Sequence, residues 1–286
     1  MSDASLNPSV PPRAASRIAW PLAGRVSMGV FILWALVAVV GPWLLPSGLV
    51  DTPGNVFEGM SWIHPLGTDY LGRDMLVRVV EGASYTMGIA LASTLLACGT
   101  GLALGLVAAV GGGWIDIALS RGMDIVISIP SKMLALVVVA AFGSSIPLLV
   151  ITCAVVYTPG AYRIARSLAV NVGAMDFVIV SRLRGEQTAY VMFQEILPGM
   201  TGPMLADMGL RFIYVVLLMA SLGFLGLGIQ PPDADWGSLV RENIGALAAG
   251  GVAVIAPALA IASLTIAVNV VVDNLPSRKD STEESA

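Results

Sequence analysis

The chain has 286 residues, 56% of them hydrophobic and only 12% charged, with a mean hydropathy of +0.84. Soluble domains carry about 25% charged residues, and the shortfall excludes a soluble enzyme, a nucleic-acid binder and a disordered chain. The net charge of −4 identifies no partner by itself. A crossing of the bilayer takes ~20 apolar residues, so the length accommodates about five to seven spans. Nothing alternates apolar and polar in short runs as an outer-membrane barrel does, and the richness in small residues suits closely packed membrane helices. The composition predicts an all-α integral membrane protein. Its two cysteines, Cys98 and Cys153, each lie inside an apolar run and read as small buried hydrophobes, with no disulfide framework or metal site.

In chain order, residues 1–24 form an N-terminal tail, polar and Pro-containing, with no cleavable signal. Its first 17 residues and residues 277–286 are Ser/Pro/Glu-rich and are expected to be disordered. The transmembrane domain covers 25–276, with six predicted spans at about 25–45, 85–110, 116–142, 146–169, 204–229 and 251–272. A polar stretch from Pro46 to Ala83 follows the first span, and Pro231 to Gly250 separates the fifth from the sixth. The third span is predicted to run as one helix through Pro130. Between the fourth and fifth spans lies a loop, 171–203, which is the one sizeable charged segment.

Lys and Arg near the span ends set the orientation. With the N-terminus inside, the inner side collects eleven of them: Arg13, Arg17, Arg25, Arg121, Arg163, Arg166, Arg182, Arg184, Arg211, Arg278 and Lys279. The outer side collects three, Arg73, Arg78 and Arg241, and Lys132 is left inside a span. Both termini are therefore predicted to be cytoplasmic, in a multi-pass protein of a bacterial inner (plasma) membrane.

The 171–203 loop is too polar to span and too patterned for a passive linker. Asp176 is placed to cap a short helix over Phe177–Arg184, which Gly185 stops in a left-handed conformation. A second short helix, Thr188 to Ile196, is predicted to end at Pro198, which breaks it. Two short helices joined by a glycine make a rigid lever that a cytoplasmic partner can hold. Met192 and Phe193 are apolar on this water-facing loop, which suggests burial in a partner's groove or contact with the membrane surface.

Gly185 followed thirteen residues later by Pro198, within Gly-x₁₀-Ile-Leu-Pro, resembles the coupling loop of binding-protein-dependent ABC importer permeases. Where that family's loop carries Glu-Ala-Ala, this chain has Ile179-Val180-Ser181, leaving Arg182, Arg184 or Glu186 to substitute for the glutamate. His64-Pro65-Leu66-Gly67-Thr68-Asp69-Tyr70-Leu71-Gly72-Arg73-Asp74 resembles the run after the first span of the C-type permease subunit for dipeptides, oligopeptides and nickel. Phe224 to Pro232, then Asp235-Trp236-Gly237, resembles the end of that subunit's fifth span and its outer loop, and Asp124-Ile125 with Ile129-Pro130 also fits.

The resemblance implies a type I ABC importer permease fold: six transmembrane helices with a cytoplasmic coupling-helix loop between spans four and five. It implies a non-catalytic subunit that forms half of a translocation pathway for peptides or peptide-like solutes. The implied partners are a second homologous permease subunit, two cytoplasmic ATPase subunits and an extracytoplasmic solute-binding protein, all at the lipid bilayer and without nucleic acid. No Gly-x₄-Gly-Lys-Ser/Thr occurs in the sequence, so no cofactor is expected on this chain, and ATP and Mg belong to the partner ATPases. The lever residues Asp176, Arg182, Arg184, Gly185, Glu186, Met192, Phe193 and Pro198 become candidates for ATPase coupling.

His64, Asp69, Arg73, Asp74 and Trp236 become candidates for outer-face docking of the binding protein. His64 with Asp69 and Asp74 also has the composition of a metal site, but turns at Gly67 and Gly72 and a local Arg73–aspartate pair explain the run better. Lys132 lies eleven residues inside Gly143, ~16 Å from the outer end of a straight helix, where a charge is costly unless it meets a cavity or partner. It is a candidate for the pathway, favouring an anionic group, with snorkelling or an acid on the second permease as alternatives. Asp207 and Arg211, four residues apart, suit a local ion pair or the inner gate of the pathway. A self-contained secondary transporter would show internal repeats and midplane acids, and a scaffold would leave the loop spacing unexplained. For the solute, nickel chelates and opine-type conjugates stand beside peptides.

Overall fold

The computed structural model describes residues 21–44, 54–249 and 251–275. The predicted tail segments 1–17 and 277–286 lie outside the described residues. Five helical stretches are long and apolar enough to cross a membrane: α1 (Leu22–Leu44), α2 (Met75–Gly111), α5 (Ile146–Gly173), the stretch Thr188–Phe224 that contains α7 (Leu197–Phe224), and α9 (Val252–Asp273). The remaining predicted span is not one helix. It is split into α3 (Gly113–Ser128) and α4 (Ser131–Phe142), bent by 80°. Pro130 causes the break: it forces Ile129 into an extended conformation (φ −93°, ψ 127°) and denies the helix an amide.

The second span also begins earlier than hydropathy indicates. Helix α2 has 37 residues, starting at Met75 instead of Tyr85, because Asp74 caps it by accepting from the amides of Leu76 and Val77. The polar residues of that first stretch are only partly satisfied: Arg78 bonds through Nη1, while its Nε and Nη2 have no partner among the described residues. Arg78 is buried and donates to Glu81 (2.8 Å) and to the carbonyl of Pro232 (2.8 Å).

Helices α2 and α5 run in the same direction and form the tightest seam. Gly101 sits against Ala161 and Tyr162, and Gly105 against Ala165 and Arg166, so close that a Cβ on either glycine would collide with the α5 backbone. Small residues at such a seam let the backbones approach where no hydrophobic effect drives helices together. Trp34 of α1 donates to Ser263 of α9 (3.0 Å).

Two apolar clusters fill the bundle. The larger joins the first half of α2 to the α7–α9 region through Met75, Leu149, Met219, Trp236 and Leu264. The smaller holds the C-terminal ends of α2 and α5 against the start of α7 through Leu106, Ala169, Val172, Ile196 and Met200.

Candidate functional sites at the two ends of the bundle

At the end closed by the smaller cluster, α6 (Asp176–Leu183) packs onto the bundle through Val178. Met175, not Asp176, is its N-cap; Asp176 is the first helical residue and makes no side-chain cap, though its carboxylate still suits the positive helix end. The helix ends as the sequence predicts. Gly185 has φ +81°, its amide bonds the Arg182 carbonyl (3.0 Å), and the Glu186 amide reaches back to Ser181 (3.4 Å), a Schellman stop.

The expected break at Pro198 is absent. After a helical turn at Thr188–Tyr190, residues Val191–Ile196 form a π-helical turn that runs straight into α7, and the Leu197 amide bonds the Met192 carbonyl five residues back. The wider turn separates the backbone ahead of Pro198, so that the missing amide and the ring are tolerated without ending the helix.

Val178, Ser181, Val191 and Ile196 are buried, and the three apolar ones pack into the smaller cluster. On the surface away from it are the exposed Asp176, Arg182, Arg184, Gly185, Glu186, Phe193 and Pro198, whereas Met192 is half-buried and packs against the smaller cluster. They share that surface with Phe177, Ile179, Val180, Tyr190 and Leu183, the last 82% exposed. Leu183 and Tyr190 went unrecognised in the sequence. The available signal was an apolar residue in the last turn before a glycine, off the inward-facing register of Val178 and Ser181.

The opposite end is a polar lock. Asp69 is fully buried: Oδ1 accepts from the amides of Leu71 (2.8 Å) and Arg73 (2.9 Å), and Oδ2 from Arg73 Nε (2.7 Å). His64 Nδ1 meets Asp74 Oδ2 at 2.9 Å. Gly72 (φ +78°) takes a conformation that side chains disfavour, and a Cβ there would run into the Gly54 carbonyl. The segment is tied to α8 (Trp236–Glu242) through Asn243, whose Oδ1 accepts from the Tyr70 amide (3.0 Å).

Asp235 caps α8, its buried carboxylate accepting from the amides of Ile229 (2.9 Å), Gly237 (2.8 Å) and Ser238 (3.0 Å). Burial pushes the Asp235 carboxyl above the usual range, and these amides pull it back. Burial likewise raises Glu242, against the lowering influence of Arg78, Arg73 and Arg241, and neither of its carboxylate oxygens has a hydrogen-bond partner among the described residues.

Trp236 corrects the docking expectation. It is fully buried, donates Nε1 to the Val79 carbonyl (2.9 Å) and stacks edge-on against Trp34 at 4.8 Å. Trp236 and Asp69 therefore hold this surface together and do not form it. What this end presents outward is Met60, Trp62 and Ile63 beside the half-buried His64.

Between the ends, Asp207 and Arg211 form a buried two-point ion pair, at 2.6 and 3.0 Å, and Arg211 Nη1 donates to the Tyr157 carbonyl (3.0 Å). Helix α3 is pinned to α5 by Asp124–Arg163 (2.7 Å) and Asp116–Arg166, so two arginines counted above as inner-side charges also hold the fold. Lys132, in the first turn of α4, faces a groove shared with α7, α8 and α9.

A bundle of apolar helices with a capped polar lock at one end and a braced, outward-facing lever at the other defines a polytopic membrane protein. The chain belongs to the family of binding-protein-dependent transport system inner membrane components, whose family model matches residues 101–281. It is 31% identical to the dipeptide transport system permease protein DppC of Alkalihalophilus pseudofirmus, over 89% of this chain and 84% of that protein. It is 33% identical to the di/tripeptide transport system permease protein DppC of Pseudomonas aeruginosa, over 91% and 87%. The glutathione transport system permease protein GsiD of Pectobacterium atrosepticum is 30% identical, over 89% and 86%.

Proposed function

We propose that this chain is the non-catalytic permease subunit of an ATP-driven importer for peptides or peptide-like solutes. The observation that carries the reading is the lever, whose inner face is locked into the bundle through Val178 and Ile196 while Leu183, Tyr190 and Phe193 face outward. Exposed apolar side chains clustered like this mark an interaction surface, and a rigid connection behind them is what force transmission needs. The partner is one of two cytoplasmic ATPase subunits, which bind ATP and Mg and serve this subunit and a homologous second permease. The peptide assignment rests on relatives named for dipeptides, di/tripeptides and glutathione.

The eleven-to-three distribution of Lys and Arg supports a cytoplasmic lever and cytoplasmic termini. The polar lock then faces outward, where Met60, Trp62 and Ile63 receive the solute-binding protein. When ATP draws the ATPases together, the levers approach and the cavity between the permeases opens outward; hydrolysis returns it inward. Asp207–Arg211 sits where α5 and α7 cross and keeps that joint in register along the pathway.

The test is a mild-detergent pull-down of the tagged chain co-expressed with its native neighbours. Recovery of a second permease and ATPases is expected, with the ATPases lost on mutating Gly185 or Phe193. A chain that purifies alone and monodisperse overturns the reading in favour of a secondary transporter.

A further inference from the structure

We propose that Lys132 is a specificity-determining residue of the pathway, receiving a carboxylate of the solute and favouring acidic over basic solutes. The proposal rests on the importer reading above. Lys132 faces a groove of about 780 Å³ between α4, α7, α8 and α9, whose other walls include Leu217, Ala220, Phe224, Val240 and Thr265. A groove of this size is in the range that takes small organic ligands. The two hydroxyls lining it are already committed to their own helices, Ser221 to the Leu217 carbonyl (2.7 Å) and Thr265 to the Ile261 carbonyl (2.8 Å). The ammonium is the charged group of the groove.

Among the described residues no carboxylate lies within ion-pair distance of Lys132, whereas Arg163, Arg166 and Arg211 each hold an aspartate of this chain. A cation in a spanning segment requires a counter-charge or a wet cavity, and here the cavity is present and the counter-charge is not. The helix break adds a second attraction. Lys132 is in the first turn of α4, which starts after an 80° bend and has no side-chain cap, so the positive end of a half-helix lies beside the ammonium. Broken membrane helices present such ends to anionic solute groups.

The groove extends from Leu217 and Thr265 up to Phe224 and Val240, next to the polar lock. In the outward-facing state it is therefore the first charged site a solute meets after release from the binding protein. Pairing there replaces the hydration that a carboxylate loses on leaving water.

The experiment uses the complete transporter in proteoliposomes, with the binding protein saturated by radiolabelled Ala–Glu, Ala–Ala or Ala–Lys so that its own selectivity drops out. Lys132→Met is expected to lower the Ala–Glu to Ala–Lys uptake ratio by about tenfold, the scale of one partly screened charge contact. Lys132→Glu should invert the preference, and Lys132→Arg should retain it. Each variant should still co-purify with the second permease.

A flat ratio across the series, with normal wild-type import, overturns the role of Lys132 alone. Loss of the second permease from Lys132→Met overturns it differently, by assigning the counter-charge to a protein–protein contact. Wild-type vesicles that import none of the three dipeptides overturn the peptide reading itself, and with it the solute named here.

Discussion

Buried carboxyl groups at the polar lock show how much one side chain contributes. Asp235 satisfies three amides, and stranding a buried amide costs about 1–3 kcal/mol, so Asp235→Ala should lower the melting temperature and membrane accumulation sharply. Glu242 is the opposite case, a carboxyl raised by burial whose oxygens have no partner among the described residues. The folded protein holds its proton more tightly than the unfolded chain does. Its contribution is therefore complete below the ordinary glutamate range and is lost as pH rises through the raised value. Glu242→Gln keeps the neutral form at every pH. In detergent, its melting temperature should exceed the wild type by about 2–4 °C at pH 8, with the gap closing towards about pH 4. A gap that widens on acidification would contradict this account.

The elements were legible where hydropathy reports on them and hidden where pairing overrides it. All but one of the predicted spans coincide with a continuous helix, yet α2 begins ten residues before its predicted start at Tyr85. Arg78 and Glu81 make that stretch read as a loop, whereas the Asp74 cap starts the helix and the bonds of Arg78 to Glu81 and the distant Pro232 carbonyl accommodate its buried charge. Prolines misled in both directions: Pro130 breaks a span read as continuous, while Pro198 sits in a helix read as broken. One proline lacks compensation, and the other follows a π turn, which leaves no mark in the sequence.

Pro198→Ala removes the reason for that turn. If it relaxes to α-helix, the lever rotates relative to α7, so uptake should fall while ATPase co-purification persists. At the α2–α5 seam, Gly101→Leu forces a side chain against Ala161 and the Tyr162 amide. A cost of about 1–3 kcal/mol is expected, readable as early thermal aggregation, whereas the open site Gly99 should accept Ala without effect.

At the scale of the molecule, the candidate sites divide by what they face. Of the lever residues taken from the sequence, all but Met192 are exposed, because the spacing around Gly185 encodes a local stop that needs no tertiary context. The docking residues do not behave as a set: Asp69 is buried by local bonds to the Leu71 and Arg73 amides and the Arg73 guanidinium, and Trp236 by long-range contacts invisible in one dimension. The lever prediction is direct: Leu183→Asp should weaken ATPase co-purification on the order of thirtyfold, the effect of losing one interface anchor of ~2 kcal/mol. Membrane insertion and the melting temperature of the isolated chain should not change, since Leu183 lies outside both apolar clusters.

Helix α2 carries a geometric consequence. Its 37 residues measure about 55 Å at 1.5 Å per residue, nearly twice the ~30 Å of hydrocarbon it crosses. It is too long to lie within the hydrocarbon, with Asp74 of the polar lock at one tip and Gly112 near the lever's cluster at the other. Rocked by about 10° around its midpoint, it carries each tip about 5 Å in opposite senses. On the importer reading proposed above, displacements of that size would open one mouth of the pathway while closing the other, with no change inside the helix itself.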